Sequence, residues 1–122
     1  MKVKNVIECL IEMKKFGLQW DKAETFMDKV AEELEEVREA VLEKNPEHLK
    51  EELGDLIMTA IDLAQYLGYD PSEALDISFN KLNARFVHFK RIIEEKGLDP
   101  KLMSSNERFD VWKQARKMVS EE

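Results

Sequence analysis

The chain has 122 residues and a formal net charge of −7, with 37% charged and 43% hydrophobic side chains. This length suits one domain covering residues 1–122, and the balance of charge and hydrophobicity is typical of a folded protein. The acidic balance offers no broad positive surface, so a nucleic-acid partner is not expected. No run of about 18 apolar residues exists, which argues against a membrane partner. Cys9 is the single cysteine, which excludes an intrachain disulfide and favours a cytoplasmic location.

The first half of the chain carries clear helix start and stop signals. Apolar positions near the N-terminus recur with helical spacing up to Gly17, a residue typical of helix ends. Asp21 and Glu24 are spaced as a capping box and predict the start of a second helix. Asn45 before Pro46 combines a capping residue with proline at the first helical position, which predicts a third.

The second half continues in the same way. Gly68 and Gly97 stand where helices would end, Asp70 precedes a proline, and Ser104 with Glu107 is spaced as another capping box. No segment alternates with the period of a strand, and the connections are short. We therefore expect an all-α antiparallel bundle of about four to five helices. The predicted helices span residues 3–16, 23–43, 46–67, 71–96 and 105–119.

Carboxylates intrude on the apolar faces of the second and third helices. At about 100° per residue, Phe26 and Val37 share one face of the second helix, and Glu33 projects into it while Glu36 lies on its border. On the third helix Glu52 lies on the edge of the apolar face. Asp55 and Asp62 follow around the same helix, seven residues apart and nearly aligned.

These acids predict a site for a divalent cation. A carboxylate beside a core is costly unless it is compensated, and crowded carboxylates raise one another's pKa. Mg²⁺ relieves both problems, Mn²⁺ can replace it, and both prefer oxygen ligands. The alternative is a solvated acidic edge with weak salt bridges to Lys29 or Arg38.

The fourth helix carries a basic stripe formed by Lys81, Arg85 and His88. If this stripe faces the carboxylates, a metal ion and phosphate groups would be held between them, since Arg and Lys suit phosphate oxygens. The alternative is an ordinary exposed basic edge. His48, near a predicted helix start, is interpreted as a surface residue, and Cys9 as a small buried one.

Most of the chain resembles the MazG family of all-α nucleoside triphosphate (NTP) pyrophosphohydrolases. The segment FGLQWDKAETFMDKVAEELEEVREAV at 16–41 resembles the family's entry loop and first acidic helix, and EELGDLI at 51–57 its second acidic motif. LAQYLGYDPSEALDISFNKLNARF at 63–86 resembles the following helix pair. VWKQARK at 111–117 is similar to the family's C-terminal motif, with arginine at its basic position.

The resemblance implies a Mg²⁺-dependent enzyme that hydrolyses an NTP or dNTP to a nucleoside monophosphate and pyrophosphate, with a role in nucleotide-pool housecleaning. Residues that match the family's catalytic and metal-binding acids are Glu33, Glu36, Glu52 and Asp55. Residues that match substrate contacts, or stand near them, are Lys29, Lys81, Arg85, Trp112 and Arg116. Asp62 stands where many relatives have asparagine and is a further candidate for the metal. The sequence does not identify the general base among the acids, and Trp112 has either a base-stacking or a packing role.

Two other readings stay open at this point. One is a di-iron bundle, which needs a Glu-x-x-His pair. Neither His48 nor His88 completes such a pair, because Asn45 and Arg85 stand three residues before them. A non-catalytic or degenerate helical interaction module of the same fold is the remaining alternative. The third helix is apolar around more than half its circumference once Ile57 is included, so we expect a homodimer or homotetramer with sites near the subunit contact.

Overall fold

The computed structural model describes residues 3–120 and is helical, without a strand in that range. The all-α fold class is therefore confirmed. The helices are α1 (Val3–Lys15), α2 (Ala23–Glu43), α3 (Pro46–Tyr66), α4 (Pro71–Glu95) and α5 (Ser105–Ser120), and a short 3-10 helix spans Pro100–Leu102. Each α-helix matches its predicted range to within one residue at either end. None of them combines the length and the apolar character required to cross a bilayer.

Side-chain caps set the starts of α3, α4 and α5 as predicted, and at α4 the Asp70 side chain accepts from a backbone N–H of the first turn. The Asn45 side chain accepts hydrogen bonds from the backbone N–H groups of Glu47 and His48, at 3.2 and 3.3 Å. Ser104 and Glu107 form a reciprocal capping box, in which each side chain accepts from the other residue's backbone N–H. These contacts satisfy N–H groups that the first helical turn leaves without partners.

Two local predictions were wrong. The residue before α2 is Lys22 rather than Asp21, and no side chain caps this helix. Since a lysine ammonium has no acceptor, it cannot satisfy the free N–H groups, and Glu24 is one position too early to complete a box. Cys9 is exposed rather than buried, because α1 contacts α3 without burying any of its own residues in the described part of the chain.

The chain divides into two compact units, the first ending at Ala74 and the second beginning at Leu75. In the first unit α2 and α3 form an antiparallel hairpin, because Phe26 near the start of α2 contacts Tyr66 at the end of α3. Lys44, in the left-handed conformation (φ 56°), ends α2 immediately before the cap of α3. In the second unit α4 and α5 share a core formed by Ile92, Ile93, Val111 and Ala115. Whether residues 1–122 form a single domain stays a prediction.

Candidate metal centre

Three glutamates of the first unit converge where α2 and α3 pack together. Glu33 and Glu36 lie three residues apart on α2, so they project from neighbouring positions of the same side. Glu52 comes from α3 and meets them because the two helices run antiparallel. One carboxylate oxygen of each residue lies within 4.8 Å of those of the other two. The structure thus brings together three of the four acids that the sequence pairs predicted.

Glu33 is the most deeply placed member of this three-glutamate centre. It is only 6% exposed and shares the buried side of α2 with Phe26 and Ala40, both of which are fully buried. Its Oε1 accepts from the Lys29 ammonium at 2.9 Å. Its Oε2 is buried and has no hydrogen-bond partner among the described residues. An unpaired oxygen of this kind is costly unless a ligand binds it.

The carboxyl group of Glu36 is only partly ionised at neutral pH. The hydrogen bond that its carboxyl group shares with Glu52, followed by burial and by the negative charge of Glu33, raises the pKa of Glu36 to about 7. Lys29 lowers this pKa but does not offset the other effects. Because like charges repel, ionising all three carboxyl groups at this separation is unfavourable unless a positive charge is added.

Glu52 is oriented by a histidine that the sequence interpretation assigned to the surface. The Nε2 atom of His48 lies 3.1 Å from Glu52 Oε1, and its Nδ1 atom lies 2.7 Å from Glu43 Oε2. The contact with Glu43, followed by that with Glu52, raises the pKa of His48 against the opposing effect of burial. A protonated ring donates to both carboxylates. The i, i+4 spacing of His48 and Glu52 was the sequence signal for this contact.

The donor set fits a hard divalent cation. Besides the Glu33 oxygen, Oε2 of Glu52 is buried without a hydrogen-bond partner within residues 3–120. The three converging glutamates thus include two buried oxygens without a hydrogen-bond partner in the described range and one carboxyl group with a raised pKa. Oxygen ligands of this type suit Mg²⁺ or Mn²⁺ and do not favour Zn²⁺.

Asp55 and Asp62, the remaining predicted acids of α3, lie outside this group. Asp55 is exposed and lies three residues after Glu52, and its backbone carbonyl accepts from the Thr59 hydroxyl at 2.7 Å. Asp62 is half-buried, burial raises its pKa, and its side chain lines a separate cavity of the first unit. Metal binding by either residue stays a prediction.

The predicted substrate contacts are divided between the two units. Lys29 belongs to the first unit and already contacts the centre through Glu33. In the second unit Lys81 is exposed, whereas Arg85 is half-buried and its Nε has no acceptor in the described range. Trp112 is half-buried, with its ring 6.0 Å from that of Phe89, and Arg116 is exposed. Their contacts with a substrate stay predictions.

Comparison with known proteins decides the family. Residues 21–89 match the model of the MazG nucleotide pyrophosphohydrolase domain, a range that contains α2, α3 and most of α4. The chain belongs to this family. The three-glutamate centre lies wholly inside the matched range, as do Lys29 and Arg85, whereas Trp112 lies beyond it.

Two curated proteins extend the likeness along most of the chain. A nucleoside triphosphate pyrophosphohydrolase/pyrophosphatase MazG of Thermotoga maritima is 33% identical over 100 residues, which is 82% of this chain and 38% of that protein. A nucleoside triphosphate pyrophosphohydrolase of Escherichia coli K12 is 32% identical over 105 residues, which is 83% of this chain and 39% of that protein. The chain thus spans about two-fifths of the length of these relatives.

Proposed function

We propose that this protein hydrolyses nucleoside triphosphates to a nucleoside monophosphate and pyrophosphate, with Mg²⁺ as cofactor and Mn²⁺ as a substitute. The observation that carries the proposal is the convergence of Glu33, Glu36 and Glu52, with two of their buried oxygens lacking partners within the described range. The names of the relatives from Thermotoga maritima and Escherichia coli support the same reaction.

The chemistry follows from charge. When bound by Glu33, Glu36 and Glu52, with Asp55 as a predicted fourth ligand, Mg²⁺ supplies positive charge to the phosphate oxygens. Lys29 adds a cation on the same face of α2, and Lys81 and Arg85 are proposed to contact the other phosphate oxygens.

A carboxylate of the site accepts a proton from the attacking water. The water oxygen forms a bond to phosphorus as the bond to the α–β bridging oxygen breaks, and pyrophosphate leaves with the electron pair of that bond. The raised pKa of Glu36, about 7, supports a role for a carboxyl group of this site in taking up a proton near neutral pH.

The test is a panel of canonical and damaged NTPs and dNTPs with Mg²⁺, in which pyrophosphate and monophosphate are both measured. We expect turnover of at least one compound and its loss in Glu36→Gln or Asp55→Asn. Glu39→Gln is the matched control, because Glu39 is an exposed acid three residues from Glu36 on α2. Release of orthophosphate and a diphosphate would contradict the proposed cleavage point.

A homodimer or homotetramer is proposed from the surface of α3. No residue of this apolar helix is buried, and Leu53, Ile57 and Met58 are 42%, 60% and 43% exposed. Because such apolar surface is rarely left to solvent, a second copy of the chain is expected to cover it. Light scattering after size-exclusion chromatography would show a monomer at micromolar concentration if this is wrong. A cytoplasmic housecleaning role is proposed with the activity.

A further inference from the structure

A glutamate outside both acidic motifs lies at the turn between α2 and α3. Glu43 is the last residue of α2, and its Oε2 lies 2.7 Å from Nδ1 of His48 in the first turn of α3. The other ring nitrogen of His48, Nε2, lies 3.1 Å from Oε1 of Glu52. The imidazole thus bridges two carboxylates and connects the turn with the three-glutamate centre.

His48 is held at both its backbone and its ring. Its backbone N–H donates to the side chain of Asn45, the cap of α3, at 3.3 Å. The contact between His48 and Glu52 joins residues four apart on one helix, and a pair of this kind contributes little by itself. Glu43 approaches the ring from α2, at a distance typical of a charge-assisted hydrogen bond, and so restricts the rotamers that the ring can adopt.

The contact with His48 gives the two oxygens of Glu52 different surroundings. Oε1 accepts from the ring, whereas Oε2 is buried and has no hydrogen-bond partner among the described residues. The Glu52 side chain is only 13% exposed, so solvent has little access to replace a missing partner. Oε2 is therefore the oxygen available to a metal ion, and its direction depends on where Oε1 is held.

Glu33 on α2 shows the same division between its oxygens. Its Oε1 lies 2.9 Å from the ammonium group of Lys29, four residues earlier, and its Oε2 is buried without a partner within residues 3–120. Lys29 has a flexible stem and also lies 3.5 Å from Glu32. The His48 ring is rigid by comparison and is fixed from a second helix, so Glu52 is the more firmly oriented of these two ligands.

We propose that Glu43 and His48 are positioning residues of the metal centre, which hold Oε1 of Glu52 so that its Oε2 binds the metal ion. The inference rests on the proposed function, because the ion is the cofactor proposed there. Glu43 acts through the ring and does not itself contact the ion. If the Glu43–His48 pair only fastened the turn, its loss would lower the stability of the fold and leave the affinity for metal unchanged.

Two amide substitutions at His48 separate positioning from a merely structural role. A glutamine amide reaches about as far as Nε2 and can donate to Glu52, whereas the shorter asparagine amide stands near Nδ1 and can reach only Glu43. Binding of Mn²⁺ alone to the full chain is measured by calorimetry at one fixed pH. We expect His48→Gln to stay within about threefold of the unmodified affinity and His48→Asn to lose at least about tenfold. Equal affinities of the two folded variants would overturn the proposal.

The role of Glu43 is tested in the presence and absence of the ring. Glu43→Ala should weaken Mn²⁺ binding at least about threefold, and should have no further effect in protein that already carries His48→Ala. Glu47→Ala is the matched control, because Glu47 is an 85% exposed acid near the same turn and its loss changes the net charge equally. Thermal melting checks that each variant is folded. An equal loss in the control, or the same loss with and without His48, would show that Glu43 acts through its charge alone and would reject its positioning role.

Triphosphate turnover, measured separately, distinguishes this inference from the proposed function. Turnover by the unmodified protein, together with equal Mn²⁺ affinities of His48→Gln and His48→Asn, rejects the positioning role and leaves the hydrolase proposal standing. The expected pattern of Mn²⁺ affinities without turnover of any triphosphate supports the positioning role and rejects the hydrolase.

Discussion

Lowering the pH from 8 to 6 is expected to weaken the binding of Mg²⁺ or Mn²⁺ to the three-glutamate centre about tenfold. Since the metal binds the ionised carboxylate, a protonated Glu36 must lose its proton first. With a pKa of about 7, Glu36 is about nine-tenths ionised at pH 8 and about one-tenth at pH 6. A carboxyl group at the ordinary value of 4.5 would stay ionised over this range and produce almost no change.

Isothermal titration calorimetry in buffers of different ionisation enthalpy measures both quantities needed. The affinity for Mn²⁺ should fall about tenfold between pH 8 and pH 6, and about half a proton should leave per ion bound at pH 7. Glu36→Gln should weaken binding and abolish this proton release. Glu39→Gln, an exposed acid on the same helix, should behave as the unmodified protein does.

An affinity that stays constant between pH 6 and pH 8, while the protein remains folded, would refute the role of Glu36 in metal binding. Equal proton release from Glu36→Gln and the unmodified protein would place the titrating proton elsewhere. Equal loss of affinity in Glu39→Gln would show that overall negative charge, rather than convergence of the three glutamates, attracts the ion.

Three further outcomes are expected. His48→Ala should weaken Mn²⁺ binding about 10- to 100-fold by calorimetry, because Glu52 loses the donor that orients it; a change below twofold would contradict this. The melting temperature of the metal-free protein should fall as pH rises from about 5 to 8, because the folded state retains protons on Glu36 and His48 that the unfolded chain releases at lower pH. A melting temperature that rises over this pH range would contradict the prediction. Phe26→Ala should lower the free energy of unfolding in urea by about 3–5 kcal/mol, whereas Phe16→Ala, 79% exposed, should have little effect.

Local signals determined the helices of this protein. Asn45 before a proline and the pair Ser104 and Glu107 specify helix starts through hydrogen bonds within a few residues, so no knowledge of packing was needed. The same local rule failed at Asp21, because the choice between neighbouring cap residues depends on where the chain enters α2. Burial of Cys9 was also wrong, since an apolar neighbourhood along one helix does not show which side meets α3.

Helical periodicity predicted the part of the candidate site that lies on one helix. Because helical spacing sets which residues share a side, Glu33 and Glu36 were recognisable as acids at the edge of a core from sequence alone. Their meeting with Glu52 depends on the antiparallel register of α2 and α3, which places residues far apart in sequence within 4.8 Å. The same register forms the contact of Phe26 with Tyr66. Tertiary structure alone decided which acids share a proton and which oxygens remain without partners, because desolvation and charge repulsion depend on distances through space rather than along the chain.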